Sequence, residues 1–152
     1  MAGEIIFNPG PLSPEFLSHA NFPKNLGRLA DPSAMATGVG VCGDSVEVSL
    51  LVENDRLTRI MYQPHGCVHT LVCASAMSEL ALGRTLDRAL ELSPEEIETS
   101  LGGLPDNHKH CARLAVHALG EAISDYYQRA RAARSAEKTA EAGKEGKDHA
   151  HL

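Results

Sequence analysis

Val46-Glu47-Val48-Ser49-Leu50-Leu51-Val52, then Glu53-Asn54-Asp55-Arg56, then Leu57-Thr58-Arg59-Ile60-Met61-Tyr62-Gln63 is the stretch from which the fold can be read. Val46, Val48, Leu50 and Val52 alternate with Glu47, Ser49 and Leu51, the period of a half-buried strand. The Glu53–Arg56 segment is a turn. Leu57 to Gln63 is the returning strand, with Ile60 and Tyr62 on one face. Val39 to Cys42 reads as a third strand feeding the first, so the spacing predicts a three-stranded antiparallel meander.

On the C-terminal side the period changes. After Pro64, residues 68–82 lack proline and glycine and are rich in Ala, Leu, Ser and Met, which predicts a helix with Cys67 at its start and Gly83 as its stop. Leu71, Ala74, Ser75 and Ser78 recur there at helical spacing. Thr85-Leu86-Asp87 caps a short helix to about Leu92, and Ser93-Pro94-Glu95-Glu96 caps another. Beyond the sharp Gly102-Gly103-Leu104-Pro105 loop, Cys111, Leu114, Ala115, Ala118, Leu119, Ala122, Ile123 and Tyr126 form one face of a long helix. From Arg129 the apolar stripe fades into Ala, Lys, Glu and Gly, expected to be a fraying helix and then disorder. His149 and His151 end a solvated tail. On the N-terminal side, residues 1–12 are irregular, Ser13-Pro14-Glu15 starts a helix over roughly 14–20, and residues 23–38 form an extended loop. The segment around Phe16, Leu17 and Phe22 is expected to pack back on its own domain. The expected fold class is α+β, a small antiparallel sheet with helices on one side and a long C-terminal helix. Residues 1–128 form the domain and 129–152 a charged, Ala-rich tail.

Bulk properties exclude several classes of function. The chain has 152 residues, enough for one domain with a true core, but no tryptophan. A formal charge of -6 disfavours nucleic acid, whose phosphates want a basic surface. No apolar run approaches the roughly 18–20 residues that cross a bilayer. Met1-Ala2-Gly3-Glu4 has no basic n-region. A cytoplasmic protein with no membrane partner is expected.

The four cysteines then read as free thiols or metal ligands rather than disulfides. Cys73, six positions after Cys67 on the helix, points elsewhere and belongs to the core. The other three occupy junctions: Val41-Cys42-Gly43-Asp44, His65-Gly66-Cys67 and Lys109-His110-Cys111. Cys67 and Cys111 lie near helix N-termini, where the dipole should lower a thiol pKa. Cys42 sits at a strand end before Gly43, and a regular strand would point Asp44 to the same face. Three thiolates with Asp44 or His110 as the fourth ligand would suit tetrahedral zinc or a two-iron cluster. C-x2-C knuckles and the H-E-x-x-H signature are missing. His65 and His69 read as polar neighbours of Cys67, and His117 as a helix-flank histidine.

From His19 to Tyr127 these residues together resemble the NifU/IscU-type iron–sulfur cluster assembly scaffolds. His19-Ala20-Asn21-Phe22-Pro23-Lys24-Asn25-Leu26-Gly27 is similar to the family's H-x-x-x-P-x-N-x-G segment. Cys42-Gly43-Asp44, Gly66-Cys67 with its small-residue helix, and Leu104-Pro105-Asp106-Asn107-His108-Lys109-His110-Cys111 resemble its three ligand motifs in order. The resemblance implies a scaffold and carrier rather than an enzyme. Such a protein takes sulfur from a cysteine desulfurase, binds iron, holds a transient [2Fe-2S] cluster and passes it to apo iron–sulfur proteins. It implies Cys42, Asp44, Cys67 and Cys111 as ligands, His110 as alternative ligand, Cys111 as persulfide acceptor, and zinc in the isolated protein.

The family's Leu-Pro-Pro-Val-Lys chaperone segment is Leu104-Pro105-Asp106-Asn107-His108 here, with His108 in the lysine's place and Lys109 beside it. Chaperone partnership therefore rests on an altered segment. Val68-His69-Thr70 replaces the usual small residues after the second cysteine. The scaffold module alone is expected, without the further domains of full-length NifU. The alternative is a zinc-bound sulfur acceptor working with a desulfurase. The branch with that role carries an insertion between the second and third motifs, and none is evident between Cys67 and Cys111.

Overall fold

The computed structural model describes residues 12–150, with side chains to residue 141. Residues 1–11, the His149 side chain and His151 lie outside the described residues, and with them the expectations for both ends. The sheet is formed by β1 (Ala34–Val39), β2 (Ser45–Glu53) and β3 (Arg56–His65), antiparallel in the order β1-β2-β3. Val46, Val48 and Leu50 are fully buried, as the alternation predicts. Asn54 and Asp55 have φ of 51° and 64°. That pair of left-handed residues is what a two-residue type I′ connection requires.

One detail of β3 breaks the period of two. Leu51 pairs with Arg59 but Val52 pairs with Leu57, leaving Thr58 as an extra residue. This bulge lets Leu57 and Ile60, three apart, both face the core.

The first strand is not where the sequence reading puts it. It runs from Ala34 to Val39, inside the expected loop, whereas Val41 and Cys42 are in the turn to β2. Its inward residues are Ala34, Ala36 and Gly38, too small to register as an apolar alternation. Their size is dictated by the long helix lying across them. A Cβ on Gly38 would come 2.8 Å from the Ala118 Cα, a backbone atom that cannot swing away. We therefore expect Gly38→Ala to destabilise. The entropy gain of about 0.4–1 kcal/mol from removing a glycine is outweighed by about 1–3 kcal/mol of overpacking. A urea midpoint equal to or above that of the parent would contradict this.

The helices are α1 (Pro14–Asn21), α2 (Val68–Ala81), α3 (Leu86–Leu90), α4 (Pro94–Ser100) and α5 (Lys109–Ala150), with a 3-10 turn over Asp106–His108. Ser13, Thr85 and Ser93 cap α1, α3 and α4 through their hydroxyls, and Ser93 with Glu96 forms a capping box. α2 is buried on nearly every side, between β3, α1, α4 and α5, which explains its continuous small and apolar sequence. α5 packs across β1 and β2 with the predicted stripe inward. The opposite face of the sheet is partly covered by the segment before β1, where the Leu29 N–H donates to the buried Ser49 hydroxyl at 3.1 Å.

The helical backbone continues past Arg129 to Ala150. From Arg131 to Glu141 every side chain is exposed. Ala, Lys, Glu and Arg are strong helix formers, so this stretch stays helical without an apolar stripe to bury. Among the described residues, no helix is long and apolar enough to cross a membrane.

α1 does fold back on the domain, with Phe16 buried, but Leu17 and Phe22 of that segment are exposed, Phe22 by 73%. His19, also on α1, is buried, with Nδ1 2.7 Å from the Ser75 hydroxyl. Burial is the main reason its pKa lies below the ordinary histidine value, with Lys24 adding to it and Glu79 opposing. A histidine with a depressed folded pKa binds fewer protons folded than unfolded. Its stability is fully present above the unfolded value of about 6.5 and is lost as pH falls below it. The urea midpoint should thus drop between neutral pH and the folded pKa, and His19→Gln should flatten the slope. Some slope remains because the pKa of His69 is lowered too. An unchanged slope in His19→Gln would refute the assignment.

Candidate metal centre

Three junctions converge at the start of α2. Cys67 is the N-cap of α2 and its side chain is exposed. One helical turn on, Thr70 is buried, and its hydroxyl donates to Asp44 Oδ2 at 2.8 Å. The Thr70 hydroxyl oxygen lies 3.8 Å from the sulfurs of both Cys67 and Cys111. Asp44, just before β2, is held from the other side by its turn: its carbonyl accepts from the Gly40 N–H at 2.8 Å. Gly66 makes the approach possible, since a Cβ there would sit 2.6 Å from Asp44 Oδ2 and 2.7 Å from the Thr70 oxygen.

Cys111, on the first turn of α5, is 1% exposed, and His110 Nε2 is 3.7 Å from its sulfur. Two donor groups result. Ligand atoms of Asp44, His110 and Cys111 lie within 4.8 Å of one another, as do those of Cys67, His108 and Cys111. Cys111 is common to both. Thiolate, imidazole and carboxylate donors at this separation suit zinc or iron.

The two thiols differ electrostatically. Burial alone would raise Cys67, but hydrogen bonds from the backbone N–H groups of Thr70 and His69, with the Thr70 side chain beside the sulfur, outweigh it, so its pKa is lowered. That agrees with its place at a helix N-terminus. Cys111 departs from the same expectation: burial pushes its thiol up to about 11, with the neighbouring Cys67 adding to the effect. Its sulfur faces the interior, where desolvation exceeds what the helix terminus offers. Burial also raises Cys73, which is a core residue as expected.

Cys42 belongs to neither donor group. It is exposed in the β1–β2 turn, beside Gly43 at φ +85°. The expectation of a shared strand face with Asp44 does not hold, because β2 begins only at Ser45. His65 is exposed at the end of β3, and His117 is an exposed helix-flank residue 3.6 Å from Glu121. Lys109 reaches Glu98 and Asp106, each at 3.7 Å.

Two residues of the centre escaped the reading of the sequence. Thr70 was a mere replacement for a small residue, although its place one turn after Cys67 sets both on one helical face. His108 was a substituted lysine. In the structure its ring stacks flat on His69, with centroids 3.6 Å apart and planes at 4°.

The family model described as "NifU-like N terminal domain" matches residues 13–133. The iron–sulfur cluster assembly scaffold protein IscU 1 of Archaeoglobus fulgidus is 34% identical over 118 residues, 77% of each chain. The scaffold protein IscU of Aquifex aeolicus is 34% identical over 117 residues, 72% of each chain. Among solved structures, the N-terminal part of a NifU-like protein from Brucella abortus superposes with a TM-score of 0.60 at 20% identity, over 76% of this chain and 94% of that one. By its sequence and its architecture, the chain belongs to the NifU-like N-terminal domain family.

Proposed function

We propose that this protein is a scaffold for iron–sulfur cluster assembly, a carrier without turnover of its own. The observation that carries the reading is the convergence of Cys67, Cys111, Asp44 and two histidines from three distant segments onto one partly exposed centre. The named relatives above are scaffolds of this kind. Iron and sulfur are the cargo. Cys67, Cys111 and Asp44 hold iron, with His110 as alternative ligand. Cys42 joins when its glycine-flanked turn closes over the centre. A [2Fe-2S] cluster bound by three thiolates and a carboxylate is the product held for transfer to an apo iron–sulfur protein. The domain responsible is residues 1–128, with 129–152 as an appended segment, in the cytoplasm.

Sulfur arrives as a persulfide on a cysteine desulfurase. A thiolate of the scaffold attacks the outer sulfur; the desulfurase S–S bond breaks, a new S–S bond forms, and the desulfurase cysteine leaves as thiolate. Reduction of that sulfur to sulfide then takes two electrons from an external donor. Cys67 is the readier thiolate, because Cys111 is buried and its pKa is raised. A bound metal deprotonates a coordinating thiol outright. Metal coordination would supply the Cys111 thiolate, the persulfide acceptor in this reading.

Anaerobic reconstitution with ferrous iron and sulfide tests the reading. The expected result is a set of visible cluster absorption bands that disappear as an apo-ferredoxin gains its own. A protein that stays colourless, keeps tightly bound zinc and stimulates a desulfurase would overturn it in favour of a zinc-bound sulfur acceptor.

A further inference from the structure

His108 is the member of the centre whose surroundings the fold leaves unexplained. Its Nδ1 is enclosed by protein and has no hydrogen-bond partner among the described residues. An unpaired buried group of this kind costs about 1–3 kcal/mol, so its retention asks for a ligand. The ring is also held in place, lying on His69, which in turn tilts against the buried Phe16 at 5.2 Å. One ring nitrogen of His108 and the sulfurs of Cys67 and Cys111 lie within 4.8 Å of one another. Tetrahedral zinc, with bonds of about 2.0–2.3 Å, keeps its donors roughly 3.3–3.8 Å apart. Small side-chain movements close this group on one ion, whereas Cys42 belongs to neither donor group.

We propose that Cys67, His108 and Cys111 form a divalent-metal site that fills without Cys42, with His69 as the positioning residue for the His108 ring. The inference deepens the scaffold reading and rests on it for the identity of the incoming ion as ferrous iron. The site itself takes a borderline-soft divalent cation, and each bound thiol releases its proton on binding. The fourth position stays open to water or to incoming sulfur. Because Cys111 is shared, an ion held here lies next to the Asp44–His110 group, where a second metal would have to sit.

The test is titration of the metal-free full chain with cobalt(II), read by thiolate-to-cobalt charge transfer and the ligand-field bands, with zinc competition for affinity. Cys42→Ser should keep the parent's cobalt affinity while losing cluster assembly. His108→Ala should bind at least about tenfold more weakly and lose the tetrahedral band pattern. His69→Ala should weaken binding several-fold, while His69→Phe, which keeps a stacking ring but has no donor, should restore it. X-ray absorption of the zinc-loaded parent, which needs no variant to fold, should show two sulfurs with imidazole nitrogen. Parent-like cobalt binding by His108→Ala, loss of binding in Cys42→Ser, or three sulfurs on zinc would each overturn the inference. If His108→Ala binds cobalt normally and the parent still assembles clusters, this site fails and the scaffold reading stands. Cobalt binding through His108 with no cluster assembly in the parent gives the converse.

Discussion

Cys111→Ser should abolish cluster assembly and nearly all tight metal binding while leaving the fold intact. Its sulfur is the one donor common to both groups of the centre, so a single change of atom disables both. A hydroxyl is a harder and far less acidic ligand than a thiol, poorly matched to zinc or iron. Outer-shell changes at metal sites typically cost about 10–100-fold in affinity, and loss of a shared ligand should cost at least that. Serine matches cysteine closely in shape, and Thr70 lies beside it as a polar neighbour, so far-UV dichroism and the urea midpoint should move little. Reconstitution of the variant to parental visible absorbance would sink the assignment of Cys111.

Asp44→Ala should act in the opposite sense on lifetime, giving a longer-lived cluster that transfers more slowly. A carboxylate is a harder donor than a thiolate and holds a soft cluster less firmly. In this fold it is positioned rather than free: the Thr70 hydroxyl donates to it, and Gly66 leaves room for it. A transfer rate to apo-ferredoxin roughly tenfold below the parent, about 1.4 kcal/mol of barrier, is the expected size. Equal rates for the two proteins would show that Asp44 does not govern release.

The parts of the chain that were legible from residues alone are those with strong local codes. The β2–β3 hairpin was readable because Val46, Val48 and Leu50 alternate and because Asn54-Asp55 suits a left-handed turn. The α5 stripe was readable because its apolar residues are spaced for one face. β1 was missed, since Ala34, Ala36 and Gly38 are chosen for how closely α5 approaches and carry no apolar signal of their own. Cys67 and Asp44 were recognisable from their junctions and motifs. His108 and Thr70 were not, because their roles depend on neighbours distant in sequence.

The sequence by itself therefore determined the sheet's main hairpin, the capped helices and the three cysteine-bearing junctions, because hydrophobic period, turn residues and caps act over a few positions. Only the tertiary structure decided which of those junctions meet. It buries Cys111 and raises its thiol, leaves Cys67 exposed with a lowered one, sets Cys42 apart in its turn, and brings His108 onto His69. Desolvation and contact between distant segments set those properties, and neither is encoded in the spacing of residues along the chain.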